Sequence, residues 1–374
     1  LRPADSAETS VAWKMALENT NSPTGLILSR QGIKDLPTKE NSRYQEALAA
    51  EKGGYLVKEV ENPDIILVAN GSEVATLVSA AQMILLDDCD VAVAGGSESM
   101  SRAPYWLPSA RFGANMGDGS MVDSLTGVLT CPIGDVHMGV TAENVADQFN
   151  ISREEQDELA NQSHQRAQRA IEENRFDGQI LPIEIKTRKG VTTFDQDEHV
   201  RFDCDIESMA KLRPAFKKEG SVTAGNASGI NDGAAALVLM EKAKAEEKGL
   251  KPIAKLIGYT LAGVDPSIMG TGPIPAVQKL LKKTGLQIED IDIWEANEAF
   301  AAQALSVSNE LGLDPEKVNP NGSGISLGHP VGATGAIISV KALYELKRIK
   351  GRFAVVTMCI GGGQGIAALF ERVE

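Results

Sequence analysis

Polar and apolar positions change period repeatedly along this chain, and each change marks an element. The opening "RPADSAETSVAWKMALE" sets Asp5 three residues before Glu8, a capping box, and Val11, Ala12 and Met15 recur at helical spacing. Three short β-like runs follow, "TGLILSR", "YLVKEV" and "DIILVAN", the first two separated by a linker rich in Lys, Glu and Asn. From Ser72 the pattern predicts a helix to about Leu86, then the strand "DVAVAGG" from Asp90.

Residues 101–220 read differently, with many Gly, Met and polar positions and few strands. One amphipathic helix stands out. Ser152 and Glu155 form its capping box, and Leu159, Ala160, Ala167 and Ile171 share a face through "EEQDELANQSHQRAQRAIEENRF". This region is read as an insertion over an α/β core, a binding lid. Beyond "TAGNASGINDGAAALVLM" the α/β alternation returns. "PIAKLIGYTLAG" is a predicted strand, "PIPAVQKLLKKTG" a helix closed by Gly, and "DIDIWEANEAF" a strand entering a turn. "GHPVGATGAIISVKALYELKR" is a glycine-started helix, with Pro330 at its first position, and "RFAVVTMCIGGGQGIAALF" is strand, glycine turn, strand.

Two passages share one order. "NGSEVATLVSAAQMILL…DVAVAGG" and "GHPVGATGAIISVKALYELKR…FAVVTMCIGGG" each run polar residue, helix, strand, glycines. The inference is an internal duplication that superposes Asn70 on His329 and brings two helix N-termini to one centre.

Composition narrows the function classes. A chain of 374 residues calls for two or three units, and its 43% hydrophobic and 24% charged content is that of a soluble globular protein. The formal net charge of −14 argues against a nucleic-acid partner, since no basic stripe could displace phosphate counterions. No apolar run reaches a membrane span and no leader-like start is seen, so no membrane association and a cytoplasmic location are expected. Cys89, Cys131, Cys204 and Cys359 show no paired spacing, so neither disulfides nor a metal is expected.

Cys359 ends the run "AVVTMC" before "IGGGQG", where close glycine N–H groups suit a developing oxyanion. A buried structural thiol is the plainer alternative, and the glycine triplet favours function. His329, flanked by glycines, suits proton transfer from a thiol; at a helix start the dipole would hold it neutral, and a Cys–His pair with Cys359 is anticipated. Asn297 in "EANEAFAAQ" could orient a water or donate to a carbonyl oxygen. Ser228, in the small-residue run from Gly225, is a candidate donor to a ligand chain, and His137 and Met138 are an unusual lining within the insertion. "NMGDGS" at Asn115 lacks the preceding strand of a diphosphate site and reads as a loop.

Together these stretches resemble the thiolase family, especially short-chain β-ketothiolases and acetyl-CoA acetyltransferases. "VAGGSESMSRAPY", "HMGVTAENVA", "LRPAF", "TAGNASGINDGAAA", "EANEAFAAQ", "NPNGSGISLGHPVGATGA" and "TMCIGGGQG" carry the resemblance in order from about Ser79 to Glu374. It implies a fold of two similar α/β halves with an inserted loop domain. The first half holds 79–100 and 221–250, the lid is 101–220, and the second half is 251–374. It also implies Claisen condensation of acyl-CoA, or CoA-dependent cleavage of a short 3-oxoacyl-CoA, within fatty acid metabolism. Coenzyme A or acyl-CoA is then a substrate, no cofactor is covalently bound, and a homo-oligomer, dimer or tetramer, is implied. By the same resemblance His329 is the activating base and Cys359 the acid and base. Asn297 holds a water of one oxyanion hole, and Gly361 donates to the second. Ser228 contacts the pantetheine arm, His137 and Met138 line the acyl pocket, and Phe300 joins the cofactor-binding positions.

The departure lies at the nucleophile. Thiolases carry it in a Cys-Gly-Ser turn, and the matching stretch here is Asn70-Gly71-Ser72, the position the duplication also reaches. An amide has no thiolate form and cannot carry an acyl group as a thioester. Residues 1–78 resemble a transketolase segment instead, a foreign start to the first half. The resulting expectation is a thiolase-type chain with impaired turnover. The alternatives are a non-catalytic CoA-binding protein and a chimeric product without native activity; transketolase activity is not expected from a fragment without a complete diphosphate site.

Overall fold

A computed structural model describes residues 66–68, 80–86, 88–110, 113, 116–188 and 190–373, all within one compact unit, Ile65–Glu374. Asn70 to Ser72, the runs "TGLILSR" and "YLVKEV", the Asp5 capping box and Asn115 lie outside the described residues.

Two sheets repeat one plan. In the first, β1 (Ile66–Val68) lies parallel to β2 (Val91–Ser99), and β3 (Asp232–Met240) runs antiparallel on β2's other side. In the second, β5 (Ile293–Ala296) is parallel to β6 (Phe353–Ile360), β7 (Gln364–Arg372) is antiparallel to β6, and β4 (Ala254–Gly263) adds an edge. The duplication read from the sequence is thus visible as strand order. The chain is helical at residues 80–85 between β1 and β2, and α6 (Thr334–Ile349) sits correspondingly between β5 and β6.

The second sheet is covered on both faces, which is why its strands read as unbroken apolar runs. Alternate residues Ala354, Val356 and Met358 of β6 face the core around α6, with Ile366, Ala368 and Phe370 of β7. Phe353, Val355, Ala367 and Leu369 point the other way, onto α3 (Pro273–Thr284) and α4 (Ala301–Leu311). Gly285 closes α3 at φ +73°, as its sequence predicts.

The chain leaves β2 at Ser99 and enters β3 at Asp232, residues paired across the two strands, and the segment between them includes residues 101–220. It holds α1 (Met138–Phe149), α2 (Arg153–Glu172) and short hairpins. The Ser152–Glu155 capping box is formed. The inner face of α2 is more polar than its periodicity suggests: Gln156, Asp157, Ser163, His164 and Arg166 are buried beside Ala160 and Ala167. They are buried because they have partners. Asn226 Nδ2 donates to Asp157 at 2.8 Å, Arg166 donates to the Val318 carbonyl at 2.6 Å, and the Ser163 hydroxyl lies 2.6 Å from Glu298 Oε2. Asn319 Nδ2 donates to the other Glu298 oxygen at 2.8 Å.

Among the described residues no helix is long and apolar enough to cross a membrane, and no group of His, Cys, Asp or Glu could hold a metal ion.

Candidate active site

β5 delivers Asn297. The strand stops at Ala296, yet the Asn297 N–H still donates to the Thr357 carbonyl of β6 at 3.0 Å, so the side chain leaves the sheet in a fixed direction. His329 arrives from α5 (Gly324–Leu327) through Gly328, whose φ of +105° is a glycine conformation. A Cβ at Gly328 would lie within 2.8 Å of three Asn231 side-chain atoms, and Asn231 Oδ1 accepts the His329 N–H at 3.2 Å.

The imidazole is wired at both nitrogens. The Thr334 hydroxyl donates to the Pro330 carbonyl at 2.9 Å, so its oxygen is left to accept from His329 Nδ1, 2.7 Å away. Nδ1 therefore carries the proton, and Nε2 presents its lone pair to Asn297 Nδ2 at 3.3 Å. Asn297 Oδ1 is buried and has no hydrogen-bond partner among the described residues.

The helix after His329 starts later than its sequence suggests. Pro330 is not the first helical residue: α6 begins at Thr334, and the Ala333 and Thr334 N–H groups both turn back to the Pro330 carbonyl, at 2.7 and 3.0 Å. The turn is imposed by packing on β2, where Gly332 donates to Glu98 Oε2 at 3.2 Å and has no room for a Cβ against the Ser97 carbonyl. His329 is partly buried, and burial pushes its pKa down to about 4.

A second cluster holds the other residues. Cys359, Met138, Phe300, Ala299, Met269, Ala227 and Cys131 form one buried group with Phe216 against it. His137 caps α1 by accepting the Gly139 N–H at 3.0 Å, and its ring stacks on Phe216 at 4.9 Å between centroids. Phe216 meets Phe300 edge-on at 6.0 Å. Ser228 is joined to the same cluster by its N–H, which donates to the Ala299 carbonyl at 3.0 Å. Gly361 faces Met138, whose Cε would touch a Cβ there at 3.0 Å. Asn297 and Phe300 are three residues apart in the segment leaving β5, so the two clusters adjoin. The anticipated Cys359–His329 pair is not formed among the described residues, since Thr334 and Asn297 take the two ring nitrogens. Burial pushes the Cys359 thiol up to about 12, so it rests protonated.

Sequence reasoning missed three participants. Thr334 and Asn231 hold His329, and only the small-residue runs around them hint at close packing. Cys131 is fully buried beside Cys359 and accepts backbone N–H groups of Gly134, Ile133 and Gly362, which draw its pKa down. Nothing in "TCPIGD" marks it.

Two expectations follow. Thr334→Val leaves Nδ1–H unpaired, at a cost of roughly 1–3 kcal/mol; the melting temperature falls, Thr334→Ser restores it, and ¹⁵N spectra show the Nδ1-protonated tautomer weakened in the valine variant. A single unchanged tautomer in all three proteins would contradict the wiring. Second, His329 and His164 both titrate near about 4 instead of 6.5 because they are buried. Between those values the unfolded chain binds protons that the folded one refuses, so stability drops as pH falls through that window. Urea midpoints at pH 7, 5.5 and 4.5 read this, and a flat series would refute it.

Comparison with known proteins gives a single family. The thiolase N-terminal domain matches residues 64–243 and the thiolase C-terminal domain residues 250–372. The beta-ketothiolase BktB of Cupriavidus necator is 59% identical over 341 residues, covering 90% of this chain and 86% of its own. An acetyl-CoA acetyltransferase of Chromobacterium violaceum is 50% identical, over 82% of this chain and 78% of its own. The crystal structure of the Bacillus anthracis acetyl-CoA acetyltransferase superposes with a TM-score of 0.79 at 51% identity, covering 81% of this chain and 77% of that one. Human mitochondrial 3-ketoacyl-CoA thiolase in complex with CoA gives 0.78 at 44%, covering 81% and 76%.

Proposed function

Because the chain belongs to the thiolase family, with its fold and its acyltransferase class, we propose that it keeps an acyl-CoA site but lacks the covalent step. The reading rests on one observation. His329 is held as a neutral base, its unprotonated Nε2 against Asn297 Nδ2, next to a buried Asn297 oxygen without a partner among the described residues and adjoining the Cys359 cluster.

In this reading Asn297 supports a water at one oxyanion position, the unpartnered Oδ1 being the atom that would order it. Cys359, protonated at rest, gives a proton to the leaving group or takes one from the substrate's α-carbon. The Gly361 N–H faces the second oxyanion. His137, Met138 and Phe300 bound a short acyl group, and Ser228 meets the pantetheine arm. The missing step is attack of a thiolate on the thioester carbonyl, forming the new C–S bond as CoA departs as its thiolate. Asn70 offers no sulfur for it. The transketolase-like segment, read from the sequence as residues 1–78, is proposed for the part ahead of residue 64, where the thiolase match begins, in place of the native start of the first half. Sequencing the source across codons 60 to 85 tests this.

Calorimetry with CoA and intact-mass spectrometry after acetyl-CoA test the functional reading. CoA binding without an acetyl adduct, and without acetoacetyl-CoA cleavage, is expected. An acetyl thioester on the chain, or cleavage at ordinary thiolase rates, would overturn it.

A further inference from the structure

The lid does more than cover the site: one of its side chains wedges between two of the segments that build it. His199, half-buried, faces Gly229 so closely that a Cβ there would lie 2.3 Å from its Cε1 and 2.8 Å from its Nε2. The same hypothetical Cβ would lie 3.1 Å from Asn231 Oδ1, the atom that accepts the His329 N–H. The ring also meets the Ile325 carbonyl of α5, the short helix that leads to His329. His199 therefore touches both the Ser228–Asn231 loop and the base-bearing segment.

Its own position is fixed from behind. The Arg201 N–H donates to His164 Nδ1 at 3.2 Å, and the two imidazoles lie 6.4 Å apart between centroids. His164 belongs to α2, whose Ser163 bonds Glu298 and, at 2.8 Å, Ser326. The ring thus rests on a lid helix already anchored to both turns of the site.

We propose that His199 is a positioning residue, setting the Ser228–Asn231 loop against α5 so that the loop is aligned for the pantetheine arm and Asn231 for the His329 backbone. The CoA half of this rests on the acyl-CoA reading above; the His329 half does not.

The test uses the full chain with His199→Ala, His199→Phe and His199→Gln, the last keeping an N–H for the Ile325 carbonyl. CoA affinity is read by calorimetry, and His329 carbethoxylation by diethyl pyrocarbonate is read by peptide mass mapping beside each melting curve. The Ala and Phe variants are expected to bind CoA about tenfold more weakly and to expose His329 to faster modification, with Gln close to the parent. If Ala does not fold, Phe against Gln decides. Affinity and carbethoxylation both within about twofold of the parent overturn the proposal, as does a lower melting temperature with neither changed. A parent that binds no CoA sinks the acyl-CoA reading, and the positioning role then stands or falls on His329 modification alone.

Discussion

Asn70→Cys raises acetoacetyl-CoA cleavage by roughly four powers of ten or more, the usual scale when an essential covalent nucleophile is restored. The parts that a thiolate would need are in the chain: a neutral imidazole with its Nε2 lone pair against Asn297 Nδ2, a protonated Cys359, and glycine N–H groups beside it. The gain should vanish on adding His329→Ala, and acetyl-CoA should leave a mass increment on the Asn70→Cys protein but not on the parent. If Asn70→Cys cleaves no faster than the parent, the missing sulfur is not what limits turnover, and the proposed transketolase-like segment is the alternative cause.

The second large effect is structural. Gly365→Ala should cost about 4 kcal/mol or more, or fail to fold, because the clash is backbone against backbone. A Cβ at Gly365 would lie 2.0 Å from the Gly272 oxygen and 2.1 Å from its carbonyl carbon, and nothing flexible can yield. Gly272 caps α3, and Gly365 pairs with Cys359 across β6 and β7. Relief of the clash would therefore push the Gly361–Gly363 turn away from Met138 and Cys131. Urea unfolding reads the loss; a variant within about 1 kcal/mol of the parent would show that α3 can slide.

Much of this is legible in the chain. The second half reads correctly because its strands are buried on both faces and its helix has a glycine stop, signals that local sequence carries. The polar inner face of α2 does not show, because a buried Ser163 or Arg166 is recognisable only once Glu298 and the Val318 carbonyl stand opposite. The start of α6 escapes for a related reason: Pro330 suits a first helical position, but packing of Gly332 on β2 delays the helix to Thr334. Burial is the cause that keeps His329 neutral. Asn297 and His329, thirty-two positions apart, meet because α5 packs on the end of β5, where a Cβ at Gly324 would lie 2.5 Å from the Glu298 carbonyl oxygen; motif spacing alone does not give this.

The lid enters and leaves through neighbouring residues. Ser99 and Asp232 face one another across β2 and β3, and Ser101 clasps Asp232 with both its N–H, at 2.9 Å, and its hydroxyl. At the equivalent tip of the repeated sheet, three glycines suffice to join β6 to β7. The lid is thus a cassette spliced into a hairpin bend. Its exchange for another segment need preserve only that paired doorway, leaving the strands beneath undisturbed.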